Sequence, residues 1–506
     1  MSLSASLAIA SGEIGNINAQ FSLIGHNIAN ASTPDYAVEE VGQQSLTAGG
    51  VGLGARLGTV GRSIDATLQS ALFAQNGSAT ALQAQVTALQ PIDAAQGAPG
   101  SGSDIASRLG ALSNQFATLQ TDPANAAQQN AVVTAARTLA GQVNTVSNAV
   151  GTARQATQDA IVADVTTLNT ALATIGPLNR QIVAAQAAGQ STADLANQRD
   201  ATIDQISRIV SVNVLPQSNG DVLLATQGGL VLPTDGTAFA TGNASLGAAS
   251  YAPGGGIPPI TLNGRDVTQQ LQGGDLGAQI GLRDTTLPAL QANLDEFAHT
   301  LSSRFAAQGL SLFTDAAGNV PAGGGAPVQS GYLGYASEIQ VNPAVAANPA
   351  LVRDGTNAVV GSATGASAFT PNPSGGPAGF TTLITRVLNY AMGSQVQPGV
   401  AQPAPATSGL GAAGTLAAGF APPGDLGAQA AAVVAQEASV SSTASLALGD
   451  AQGLQSTLQG KLSTGSSVNI DTEMSTMIQL QNAYVANARV MSSVQSMWTQ
   501  LVQSVG

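Results

Sequence analysis

The chain has 506 residues, 44% of them hydrophobic, so it can bury more than one core, but charged residues are only 8% against roughly a quarter in ordinary domains. A net charge of −13 with Lys461 as the one lysine leaves no basic footprint for nucleic acid. The absence of cysteine excludes thiolate chemistry, Cys-based zinc sites and disulfides, and two histidines, His26 and His299, cannot build a three-histidine metal site.

Aromatic residues make up 3% of the chain, so its apolar content is mostly Ala, Val, Leu and Ile. Mean hydropathy is +0.17, which argues against disorder throughout. No run of about 18 apolar residues is present, so no bilayer span is expected. The first arginine is Arg56, so no basic start to a cleavable secretory signal is visible.

The first element is a helix of about 28 residues. Leu3, Leu7, Ala10, Ile14, Ile17, Phe21, Ile24 and Ile28 recur at alternating spacings of four and three. That heptad pattern places one narrow apolar seam on one side of a helix and calls for a partner helix. The stretch from Asn30 to Tyr36 breaks it, because Thr33 precedes Pro34 and is biased away from helix. Val51, Leu53, Ala55 and Leu57 then alternate with Gly and Arg as a short strand or hairpin.

From about residue 63 to 210 the chain reads as Ala- and Gln-rich helix, with breaks at 97–102, 121–123 and 176–177. Leu195, Arg199, Ile203, Ile206 and Ile209 mark an amphipathic helix at its end. Residues 211–272 change to short strands, with Ser218-Asn219-Gly220-Asp221 as a hairpin turn. Residues 276–308 return to helix, 312–380 are turn-rich and suit a small β domain, and 393–425 form a Pro/Ala/Gly-rich linker or loop. Helix resumes at 426–462.

A second seam closes the chain: Met477, Leu480, Tyr484, Asn487, Met491, Val494, Trp498, Leu501 and Val505. Asn487 is its one polar member, of the kind that fixes register. Asp471 and Glu473 lie near its start, where negative charge suits the helix dipole. The economical arrangement pairs the two terminal helices.

The predicted fold is therefore mainly α with inserted β domains. A discontinuous coiled-coil terminal domain takes 1–36 and 467–506. A rod-like helical domain takes 37–210, 273–310 and 426–466, and an outer β-rich domain takes 211–272 and 311–392.

Signs of chemistry are nearly lacking. There is no G-x-S-x-G elbow, no H-E-x-x-H and no calcium loop. Gly460-Lys461 is followed by Leu462 and fails the phosphate-loop pattern. The Gly52–58 stretch misses G-x-G-x-x-G by one residue. Asp284, Asp295 and Glu296, and Asp200 with Asp204, read as solvated helix faces or partners of Arg199 and Arg283. His26, beside Gly25, reads as a packed or surface polar residue. No catalytic residue, metal site or cofactor is expected, and the chain is not read as an enzyme.

The stretch from Gly25 to Tyr36, with Asn27, Ala29, Asn30, Thr33, Pro34 and Tyr36, resembles the N-terminal signature of bacterial flagellar axial proteins, N-[I/L]-A-N-x-x-T-P-G-Y. Asp35 stands where glycine is usual. The run from Val468 to Glu473, followed by Gln481 to Arg489, is similar to the C-terminal axial signature. Asp194-Leu-Ala-Asn-Gln198-Arg199-Asp200 resembles the D-L-x-x-Q-R-D element of the hook-associated protein 1 branch, the hook–filament junction proteins. Gly273 to Gly277, Arg283-Asp284 and Leu287-Pro288 fit the same branch.

The resemblance implies terminal helices paired in an inner tube, β domains facing outward, and assembly by self-association as a junction ring. It further implies contacts with the hook subunit, with the second junction protein (hook-associated protein 3) and with a flagellar export chaperone. It implies an extracellular place on the flagellum, reached by type III export without a cleavable signal, and contact with neither nucleic acid nor membrane. The alternatives are a hook or distal-rod subunit and, more remotely, an extracellular adhesin or enzyme carried on axial-type ends.

Overall fold

The structure is a computed structural model and describes residues 3–33, 36–48, 51–361, 367–400 and 402–505. Helix α1 runs Leu3–Asn30 and stops in a turn closed by the Thr33 amide on the Asn30 carbonyl. A long antiparallel hairpin follows, β1 (Glu39–Ala48) and β2 (Val51–Arg62), with two register shifts. Only its second strand is anticipated by the sequence. β1 is mostly polar and shows little alternation, so the pairing with β2 carries it. The hairpin lies along α1, where Asn16 Nδ2 donates to the Ala55 carbonyl at 2.8 Å.

The body is built on α2 (Ala66–Gln96), α3 (Ile105–Thr121), α4 (Ala126–Ala187) and α5 (Ala193–Ile209). Each of the first three starts at a side chain that accepts backbone amides: Asp65, Asp104 and Asn125. The expected interruptions at 97–102 and 121–123 separate α2, α3 and α4.

The expected break at 176–177 does not occur. α4 continues through Pro177 for 62 residues, about 93 Å at 1.5 Å per residue. Proline removes one intrahelical hydrogen bond, whereas Leu172, Ile175, Leu178 and Ile182 around it are all buried. Gly176 has its own reason for being there. A Cβ at this position would lie 2.0 Å from the backbone oxygen of Thr234.

α4 carries two cores. Its first half joins α3, α7 (Leu287–Ala307) and segments from 310–392 around Val143, Phe116, Phe297 and Phe305. Its second half joins α2, α5, α6 (Gly274–Gly281) and the hairpin of β3 (Val212–Pro216) and β4 (Val222–Thr226), around Ile161, Leu168, Ile203 and Leu224. One 18-residue window of α4 is long and apolar enough by composition to cross a membrane. Its apolar side chains instead line these cores.

Short strands β5 (Phe239–Ala240), β6 (Thr261–Leu262) and β7 (Arg265–Asp266) form a three-stranded patch beside α4. Between α6 and α7 the backbone makes one π-helical turn, Leu282–Thr286. There the fully buried Arg283 clasps Asp284 through Nε and Nη2 at 2.7 and 2.9 Å and donates to Gln158.

The segments 211–272 and 311–392, expected as one β-rich outer domain, share no sheet among the described residues, although Ala248 stands beside Gly334. The first packs on the second half of α4 and the second on its first half. The second is not a β domain either. Among its described residues it holds the strands β8 (Phe313–Thr314) and β9 (Gln340–Val341), with short helices α8 (Pro343–Ala347), α9 (Leu351–Asp354) and α10 (Thr382–Arg386). Its turn-forming glycines and prolines mark loops rather than strand ends, and its apolar residues Leu310, Leu312, Phe313, Tyr335 and Ile384 are spent inward on α4 and α7. Residues 393–425 fold back over α7 with β10 (Ser408–Leu410) and β11 (Leu416–Ala417), burying Leu410 and Ala418 against Ala292.

Asp295 and Glu296 are also not solvated. Both are buried on α7. Asp295 accepts the amides of Gly334 and Ala336, and Glu296 accepts the Tyr332 hydroxyl and the Ala406 amide, so the pair pins two loops to the helix. Helix α11 (Leu426–Ser466) returns antiparallel along the body, and α12 (Ile470–Val505) begins after a three-residue break.

Candidate functional site

α1 and α12 pack against each other. Ile17 and Ile24 on α1 and Leu480 on α12 are buried together, with Phe21, Ile28, Met477 and Ala483 around them. The C-terminal end of α1 meets the N-terminal end of α12, since Asn27 Nδ2 donates to Glu473 Oε1 at 3.1 Å. The pair is therefore antiparallel. Of the first seam, Ala10, Ile17 and Ile24 are buried, and Leu3, Leu7, Ile14, Phe21 and Ile28 are half-buried.

The second seam divides. Leu480 and Val494 are buried, and Met477, Asn487 and Met491 are half-buried, whereas Tyr484, Trp498 and Leu501 are 40%, 54% and 50% exposed. The Val505 side chain lies outside the described residues. Asn487 donates to Ala483 of its own helix, so within the chain it sets no register. Beyond the seam, α12 also exposes Ile478, Val485, Val490, Met497 and Val502. A helix of a finished monomer rarely leaves so much contiguous apolar surface in water.

The joint between this pair and the body is polar. Asn27 is 1% exposed and makes four hydrogen bonds. It donates to the Glu39 carbonyl and to Glu473, and it accepts the Glu39 amide and the Tyr36 hydroxyl. Its four-fold use explains why an amide, donor and acceptor at once, stands here. Asn30 takes the His26 carbonyl and the Thr33 hydroxyl, Ala29 and Thr33 are exposed, and Pro34 lies outside the described residues.

From the body, Asn197 clamps the backbone of Ala37 in both directions, and Asp200 accepts Arg62 at 2.7 Å and Gln69 at 2.9 Å. Asp200 is thus paired with Arg62 of the hairpin rather than with Arg199. Arg199 is buried and turns the other way, to Asn179 and the Gly220 carbonyl of the β3–β4 turn. Asp204 pairs with Arg208. Gln198 is exposed. The D-L-x-x-Q-R-D element therefore faces two ways, one side holding the hairpin base and the other the β3–β4 turn.

Glu39, Arg62 and Asn197 are joint residues that pattern reading did not single out, and Glu473 was read there for its place near the start of the last helix. Asn197 lay within the quoted element, but only the fold shows that its amide meets Ala37, 160 positions away. The electrostatics of the joint are acidic. Burial, then Asp194, raises the Glu39 carboxyl above its usual range, and burial raises Glu473. Burial, then Glu39, pushes the Tyr36 phenol up, so it stays a donor. His26 stands over this group, with Nδ1 3.7 Å from Glu39 and Nε2 3.7 Å from Asp194.

Residues 92–319 match the family model of the flagellar hook-associated protein FlgK helical domain. Residues 458–504 match that of the flagellar basal body rod FlgEFG protein C-terminal region. Both models describe structural proteins of the flagellum, of the axial class. The larger match takes in the end of α2, all of α3 to α7, and the β3–β7 strands between them. Residues 92–319 are thus similar to the helical domain of the flagellar hook-associated protein FlgK.

Among solved structures the chain is similar to the flagellar hook junction protein FlgK from Burkholderia pseudomallei, at 25% identity and a TM-score of 0.40. That alignment takes in 50% of this chain and 45% of that one, so it spans less than half the length of the solved relative. No curated protein matches the chain.

Proposed function

We propose that this chain is a structural subunit of the junction between flagellar hook and filament, acting through interfaces and not through catalysis. The observation that carries the reading is the terminal pair. α12 is packed along one side only, and its distal half holds apolar residues out to water at Trp498, Leu501 and Val502. Such a surface is completed by neighbouring copies, which bury it in a tube of helices.

In this reading the seam residues on α1 and α12 are assembly residues. The paired termini form the inner domain, and the body with its short strands stands outside. Partners are further copies of the chain, the hook subunit on one side and the second junction protein, hook-associated protein 3, on the other. A flagellar export chaperone holds the termini before assembly, and export needs no cleavable signal. A hook or distal-rod subunit is the second reading, favoured by the match of 458–504 to the rod-protein model.

Electron microscopy of cells lacking the chain, with the medium assayed for filament protein, decides between them. Bare hooks with filament protein shed into the medium are expected. Missing hooks would move the chain to hook or rod, and normal flagella would overturn both.

A further inference from the structure

The acidic joint contains a group of side chains that the assembly reading does not use. His26 comes from the last turns of α1, Glu39 opens β1, and Asp194 lies in the first turn of α5. They are far apart in sequence and belong to the terminal pair, the hairpin and the body. One donor atom from each lies within 4.8 Å of the other two. Both histidine–carboxylate distances are 3.7 Å, longer than a formed hydrogen bond of about 2.7–3.2 Å. The three groups converge without closing on one another.

A second observation concerns Glu39 alone. Its side chain is 6% exposed, yet its Oε1 has no hydrogen-bond partner among the described residues. A buried carboxylate oxygen without a donor is costly. Arg62 at the base of the hairpin is already committed to Asp200 of the body at 2.7 Å. Glu473 adds a further carboxylate at the same joint, through Asn27.

We propose that His26, Glu39 and Asp194 form a binding site for a divalent transition-metal cation, with zinc as its simplest occupant, that clips the terminal helix pair to the body. One imidazole nitrogen with two carboxylate oxygens is a donor set for zinc-like ions rather than for calcium or magnesium, which prefer oxygen alone. Metal–ligand distances of about 2.0–2.2 Å draw the three donors closer than they now stand. The Asp194 side chain, 57% exposed, is free to move in, and water completes the shell. Bound metal then couples three segments through one ion, beside the hydrogen bonds and the Arg62–Asp200 ion pair already at the joint, and it fixes the angle at which α1 and α12 leave the body. The site stands whether the chain serves junction, hook or rod.

The composition makes the test clean. The chain has no cysteine and one other histidine. That one, His299, is stacked on Tyr332 with ring centroids 3.9 Å apart and hydrogen-bonded to Ser303. Zinc chloride is titrated calorimetrically into the full chain after chelator treatment.

One zinc per chain is expected. His26→Gln should abolish it, Asp194→Asn should weaken it at least tenfold, and His299→Gln should leave it unchanged. Chymotrypsin, with and without zinc, should cut the joint after Tyr36 more slowly when the metal is present. Absence of saturable binding overturns the proposal, and so does binding that survives His26→Gln, which would mean an adventitious ion on surface carboxylates only. Should His26→Gln lower the unfolding midpoint, the exposed Asp194→Asn variant carries the same decision.

Discussion

Single residues in this protein are governed by its shortage of charge. With 15 basic and 28 acidic residues, each buried ion must be matched closely, and several carboxylates are not matched by a cation at all. Glu437 on α11 is buried beside Asp93 on α2, which also accepts the Ser441 hydroxyl. Burial first, and then Asp93, pushes the Glu437 carboxyl up to about 8. Burial pushes Asp164 and Asp295 each up to about 7. Unfolded carboxyls titrate near 4, so the folded state holds these protons more tightly. The stability they lend is complete below about pH 4 and is lost as pH rises through 7 to 8. Glu437→Gln keeps the neutral form at every pH. Thermal unfolding from pH 5 to 8.5 should show the variant gaining on the parent chain as pH rises, with the two alike at pH 5. Parallel curves would show that the α2–α11 carboxyl pair is not buried as described.

Elements are held by close approaches that side-chain patterning does not announce. α2 touches α5 at Gly77, where a Cβ would stand 2.5 Å from the Ser207 oxygen. Gly176 gives the same opportunity to the loop at Thr234, whose backbone oxygen sits where a side chain would begin. In the sequence, Gly176-Pro177 looks like a stop. In the fold it is a contact point inside one uninterrupted helix. Gly176→Ala should raise the helix propensity of α4 and still destabilise the protein, by about 1–3 kcal/mol for an overpacked site. Urea unfolding would measure it. A stabilised variant would show that the 230–240 loop does not lie on the helix. The π-helical turn at Leu282–Thr286 is a second feature of this kind. It turns Arg283 inward between Gln158 and Asp284, where a straight helix would carry it past them.

At the scale of the whole molecule, the terminal helix pair leaves one side of α12 uncovered among the described residues. Trp498, the one tryptophan, is 54% exposed on it. Its fluorescence in the free chain should therefore be that of an indole in water, and it should shift to shorter wavelength when copies assemble on isolated hooks. Trp498→Ser should change the stability of the free chain by no more than about 0.5 kcal/mol, as for exposed positions generally, while assembly on hooks is lost. An unshifted spectrum on assembly would place the interface elsewhere. The exposed stripe also separates two kinds of stability. The body carries two large cores along α4, whereas α1 and α12 share a single small cluster, so the termini draw most of their order from what they join.

Three things were written in the sequence. The heptad spacing at both ends fixed two long helices with matching narrow seams, because a period near 3.5 can bury its stripe only against another helix. The Gly25–Tyr36 stretch carried the axial resemblance and Asp194–Asp200 that of the hook-associated branch, and the short turn chemistry at 218–221 marked the β3–β4 hairpin. Tertiary structure decided the rest. It carried α4 through Pro177, sent 311–392 inward onto α7 instead of outward as a β domain, and paired β1 with β2. It also gathered His26, Glu39, Asp194 and Glu473 from four separate elements into one acidic joint. Periodicity along a chain reports which face of an element is apolar. It does not report which distant element that face will meet, and in a chain with 8% charged residues there are few complementary charges to give the meeting away.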